Sequence, residues 1–143
     1  MMDRKLLLEI YKPSVMQRWN DHLRPVDFYE LDKQAHKMIV AYILGKFEEA
    51  NSSGKFNWIK IIEGGLFEFF QRLVVTDLKP SLFSQIKKDK KKYRQLNNFV
   101  IKNLTPLLSH IQKGGLLERF KDYLKEDEQG VDDVYKKILK SAH

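Results

Sequence analysis

The residues of this chain that could do chemistry are a histidine, a carboxylate and two arginines set at helical spacing or beside an aromatic ring. His36 lies in the least polar stretch, with Val40, Ile43 and Phe47 at helical intervals after it, so it is expected to point into a helical core. An imidazole there is either a core histidine satisfied by Asp32 one turn back or by a backbone carbonyl, or it is a metal ligand. Glu68 follows the Gly64-Gly65 pair by one turn and Arg72 follows Glu68 by another, which puts all four on one stripe. Glycines admit a second helix closely, so a carboxylate just beyond them can face a cavity and meet an imidazole carried by the partner. The plainer reading is a Glu68–Arg72 pair on a solvated face, against which stand the flanking Phe67, Phe69 and Phe70. Arg18-Trp19 offers a guanidinium for an anion and an indole for a planar group, or else packing plus a surface charge. Lys87, Lys88, Lys90, Lys91, Lys92 and Arg94 form a basic block that reads as a solvated helix face. Its only aromatic companion is Tyr93, so nucleic acid is not an expected partner.

The elements that must position these groups are helices. Period 3.6 recurs from end to end and sustained period-two alternation does not, which makes the class all-α. Leu6, Leu7, Ile10 and Tyr11 mark a first helix stopped near Pro13, and a short segment with Met16 and Trp19 precedes Arg24-Pro25. Asp27 with Glu30 has capping-box spacing for a long helix over about 28–50. Ala35 and Met38 to Leu44 leave that helix almost no polar face, so it is expected to be covered on several sides. Asn51 to Gly54 is a turn, and the next helix spans about 57–74 with the glycine pair in its middle. Each glycine costs about 1 kcal/mol relative to alanine in an exposed helix, so a close backbone approach is expected there. Thr76-Asp77-Leu78-Lys79-Pro80 breaks the pattern, and Ser81 is read as the cap of a single helix over about 82–105. Further helices are expected from Leu116 to about Lys125 and from near Val131 to the chain's end, with an acidic loop over 126–130 between them.

With 143 residues, a net charge of +7 and 43% apolar residues, the chain is read as one domain over 1–143. The absence of cysteine excludes disulfide scaffolds, cysteine-ligated zinc and thiol nucleophiles, and it suits a reducing compartment, so a cytoplasmic location is expected. Asp3 and Glu9 interrupt the N-terminal stretch, which does not read as a signal peptide. The longest apolar run, Met38 to Leu44, is far short of the roughly 20 residues a membrane span needs. No GxGxxG, Walker A, HExxH or GxSxG motif occurs. The split between a basic 87–94 and an acidic 118–133 either directs self-association into a homodimer or marks two solvated faces.

The order of Arg-Trp, a helical histidine, and a carboxylate-bearing helix ending in Thr-Asp-Leu-Lys-Pro resembles the HD-domain superfamily, most of all the branch containing 5'-deoxynucleotidases. The match covers about 15–105 and extends to the last helix. The resemblance implies a compact HD-like bundle of about five to seven helices. It also implies a metal-dependent phosphohydrolase acting on nucleoside monophosphates, with Arg18 and Trp19 binding substrate, His36 as first metal ligand and Asp77 as the acidic catalytic residue. Where the family has its His-Asp dyad this chain has Glu68-Phe69, and where it has the following Glu there is Arg72, a side chain suited to holding an anion. Ser141-Ala142-His143 falls where the family's closing Asp lies, and relatives usually continue with further helices, so a truncated form is expected. The implied centre of His36, Glu68 and His143 would suit Fe, Zn, Mn or Co with open positions for water or substrate. The alternative is a non-catalytic helical module that binds a nucleotide or a partner protein without turnover.

Overall fold

A computed structural model of the chain describes residues 4–14, 29–108 and 115–143. The elements among them are α1 (Arg4–Tyr11), a 3-10 turn (Lys12–Ser14), α2 (Glu30–Asn51), α3 (Trp58–Val74), α4 (Pro80–Lys88), α5 (Lys90–Leu108), α6 (Leu116–Glu128) and α7 (Val134–Ser141). The class is all-α, with no strand among the described residues. Two compact units divide the chain: Met1–Gly65 with Val134–His143, and Leu66–Asp133. The division falls within α3, whose first half belongs to one unit and whose second half belongs to the other.

The first unit is built on Ala41, Ile61, Ile138, Leu139 and Ala142, with Met38, Leu44, Phe56, Trp58 and Tyr135 packed against them. Two glycines set its tightest contacts. A Cβ on Gly65 would lie 2.2 Å from the Met38 sulfur, and one on Gly45 would lie 2.8 Å from the Trp58 ring. The Gly65 carbonyl also accepts from the Gln34 amide at 2.8 Å, while Trp58 Nε1 donates to Glu49 at 2.9 Å. Asn57 caps α3 through its side-chain oxygen, which accepts from the Ile59 N–H at 3.1 Å. The cap of α2 is Tyr29, whose N–H donates to Asp32 Oδ2 at 3.3 Å, and the expected cap Asp27 lies outside the described residues.

One expectation for α2 fails. Only Lys37, Ala41 and Gly45 are buried in it, on the line that meets α3 and α7. Ile39, Tyr42, Ile43 and Phe47 are 61, 56, 49 and 66% exposed, so a whole apolar face of the helix is left uncovered.

The second unit joins the latter half of α3 to α4, α5 and α6. Phe67, Phe70, Tyr93, Val100, Leu104 and Phe120 form its buried centre, with the Phe67 and Phe120 rings stacked at 5.0 Å. The single helix expected over 82–105 is two, because Asp89 stops α4 and caps α5: its Oδ1 accepts from the N–H groups of Lys91 and Lys92 at 3.0 and 3.2 Å. Pro80 takes the first turn of α4 with Lys79 as its cap, displacing the expected Ser81. α5 runs on through Pro106, and α6 runs to Glu128, so most of the expected acidic loop is helix. α7 begins at Val134 rather than near Val131.

Candidate functional site

Of the candidate site residues, Arg18 and Trp19 lie outside the described residues, and His36, Glu68, Arg72, Asp77 and His143 lie within them. His36 is exposed, against the expectation of an interior imidazole. The interior line of α2 runs Lys37, Ala41, Gly45, and one residue of helix turns a side chain by about 100° away from it. His36 therefore shares the outer face with Ile39, Ile43 and Phe47. Asp32, its expected partner, instead accepts from the Tyr29 backbone.

Lys37 holds the place expected of the histidine, only 3% exposed, with Nζ 3.4 Å from Nε2 of His143. An ammonium only donates, so Nε2 pairs with it in the ring form that leaves that nitrogen unprotonated. The sequence offered one signal for Lys37, its i+4 relation to Ala41 and then Gly45.

In the second unit Glu68 is half-buried and accepts a hydrogen bond from the Tyr123 hydroxyl at 3.0 Å. Burial, and after it the Glu68 charge and hydrogen bond, push the Tyr123 phenol above its usual range. Phe69 is 6% exposed, beside Phe70. The Arg72 guanidinium lies over the Phe83 ring, 5.3 Å from its centre. Asp77 is exposed in the turn between α3 and α4. Among the described residues no three histidine, aspartate or glutamate side chains gather as a metal-ligand group, so they do not provide the donor set that Fe, Zn, Mn or Co would need.

The densest polar constellation is one the sequence reading did not single out. Gln71 Nε2 donates to the Tyr93 hydroxyl at 3.0 Å and to Asn97 Oδ1 at 2.7 Å, and Tyr93 donates in turn to Asp127. Asn97 Nδ2 donates to Glu128 at 3.0 Å, Lys87 lies 3.2 Å from Asp127, and Arg94 lies 3.4 Å from Glu128. Burial foremost, then the Asp127 charge, holds the Tyr93 phenol above its usual range, so it serves as a donor and not as an acid. Every buried side-chain nitrogen and oxygen among the described residues has a partner, and this network clamps α3, α5 and α6 together. Asn97, standing among Tyr93, Val100 and Leu104 on one stripe, was the legible sign of it.

No family model, no curated protein and no solved structure matches this chain. No helix among the described residues is long and apolar enough to cross a membrane.

Proposed function

We propose that the chain is a non-catalytic, HD-like helical module that acts by binding, with the outer face of α2 as its contact surface and a second copy of the chain as the partner. The observation that carries this reading is the exposed row of Ile39, Ile43 and Phe47 opposite the buried Lys37–Ala41–Gly45 line. A helix apolar on every side calls for cover on every side. Charge favours a second copy as that cover. Asp32 stands at the start of the outer face and Lys46, which also pairs with Glu49 of its own helix, about four turns further on, both exposed, so an antiparallel copy sets each against the other's opposite. The residues at the positions of the family dyad support binding over turnover, since Glu68 accepts from Tyr123, Phe69 is core and Arg72 covers Phe83. Sedimentation equilibrium tests the reading: the unmodified chain is expected to be dimeric at micromolar concentration and an Ile39→Asp, Phe47→Asp variant monomeric with its helicity intact. A monomeric unmodified chain refutes it.

A second reading, a weakened cytoplasmic phosphohydrolase acting on nucleoside monophosphates, draws on one observation. Asp77 is exposed in a turn that leads from the carboxylate-bearing α3 to Pro80, the order that the resemblance requires. On that reading Arg18 and Arg72 hold the phosphate, and a divalent Fe, Mn, Co or Zn ion would supply an activated water. Elemental analysis of protein purified without chelator, beside a His36→Ala variant and a hydrolysis assay with added Mn or Co, separates the two. The non-catalytic reading expects no stoichiometric metal and no turnover.

A further inference from the structure

We propose that the solvent face of α5 is a nucleic-acid surface that seats in the major groove of duplex DNA, a property of the second unit independent of the α2 contact. From Pro80 to Leu108 the chain carries Lys87, Lys88, Lys90, Lys91, Lys92, Arg94 and Lys102 against a single acid, Asp89, which is engaged in capping α5 and in an ion pair with Lys92. Some of these cations are neutralised from α6, Lys87 by Asp127 and Arg94 by Glu128. Lys88, Lys90, Lys91 and Lys102 are exposed and have no ion pair among the described residues.

Folding does not account for this arrangement. Lys90, Lys91 and Lys92 occupy the first turn of α5, where the helix dipole is positive and cations are unfavourable, and the capping Asp89 is one carboxylate against three ammonium groups. An anion arriving from outside relieves the repulsion.

The face itself indicates which anion. Lys91, Gln95, Asn98 and Lys102 recur at helical spacing along one exposed line, so two amide side chains lie between cations. Lys91 and Lys102 are about 16 Å apart along the axis at about 1.5 Å per residue, so with the helix seated in a major groove about 12 Å wide the two long side chains at either end of the line reach flanking phosphates. Gln95 and Asn98 would then face the base edges, where carboxamides pair with adenine. Phe99, 54% exposed at the edge of the same face, supplies an apolar contact. A lipid surface fits less well, because the apolar side of α5, with Tyr93, Val100 and Leu104, is buried within the unit and cannot insert. The basic block over 87–94 considered alone did not suggest nucleic acid; the exposed line continuing to Asn98, Phe99 and Lys102 is what changes the reading.

Fluorescence anisotropy of the full chain with a short labelled duplex of mixed sequence tests the proposal, with single-stranded DNA and anionic phosphatidylserine vesicles as competitors. A Lys91→Glu, Lys102→Glu variant is compared with a charge-matched control, Lys55→Glu, Lys137→Glu, altered at exposed sites of the first unit. Circular dichroism confirms that both variants keep their helicity. Duplex binding by the unmodified chain is expected to weaken about tenfold or more in the first variant, with the slope of log K against log salt shallower by roughly two, and to change much less in the control. No duplex binding, equal losses in both variants, or preferential displacement by vesicles or by single strands overturns the proposal.

Discussion

Tyr93 shows how a single buried hydroxyl is fixed by what surrounds it: it accepts from Gln71, donates to Asp127, and is 2% exposed. Tyr93→Phe removes both partnerships and is expected to cost about 1–3 kcal/mol in denaturant unfolding, the range for leaving buried polar groups unsatisfied. The same hydroxyl sets an alkaline limit. Its folded pKa is raised above the ordinary 10.0, so its contribution is full below that pH. Above it the unfolded phenol ionises while the folded one holds its proton, and stability falls. The melting temperature is therefore expected to drop as pH rises past the ordinary value, less steeply in Tyr93→Phe. A Phe69→Asp, Arg72→Glu variant, which restores the acids of the resembled family, is expected to unfold rather than gain activity. Phe69 is core, and an unpaired carboxylate there costs several kcal/mol. A stable, cooperatively unfolding double variant would contradict that placement.

At the scale of elements, the α2–α3 contact rests on Gly65, since any side chain there meets Met38. Gly65→Leu is expected to destabilise by roughly 1–3 kcal/mol or more through overpacking, while Gly54→Ala, with nothing within 4 Å of the added carbon, leaves the melting temperature unchanged. The glycine pair was legible from sequence because a helix keeps such residues only where something comes close. The break between α4 and α5 was not legible. Phe83, Ile86, Tyr93 and Leu96 keep helical register across it despite the charged Asp89 and Lys90 at the intervening turn, and the Asp89 carboxylate reaching the Lys91 and Lys92 amides marks the stop. Those amides, Lys92's above all, hold the Asp89 carboxyl below its ordinary 3.8. Its contribution is present above that pH and lost as pH falls through the lowered value, so acidification is expected to reduce helicity less in Asp89→Ala than in the unmodified chain, read by circular dichroism.

For the whole molecule the two proposed binding modes, one resting on the basic face of α5 and one on the apolar face of α2, differ in their expected response to salt. Raising salt to about 0.5 M is expected to abolish duplex binding and to leave self-association largely intact, since counterion release weakens the first and apolar burial does not depend on it. Light scattering and anisotropy on one salt series check both. The all-α class, the existence of α2 and α3, and the close approach at Gly65 follow from the sequence by itself, because helical period, turn residues and glycine placement are local properties of a chain. Which side of α2 is inside was decided only by tertiary structure. Where apolar and polar residues alternate at helical period, the pattern selects the buried face; across Met38 to Leu44 apolar residues occupy every face, and nothing local distinguishes them. The choice came from the elements packed against it, with α3 and α7 covering the Lys37–Ala41–Gly45 line and leaving His36 in solvent. Asn97 on the apolar stripe marked a buried polar position, but its acidic partners were likewise beyond the sequence, because only packing brings Asp127 and Glu128, at the far end of α6, to α5.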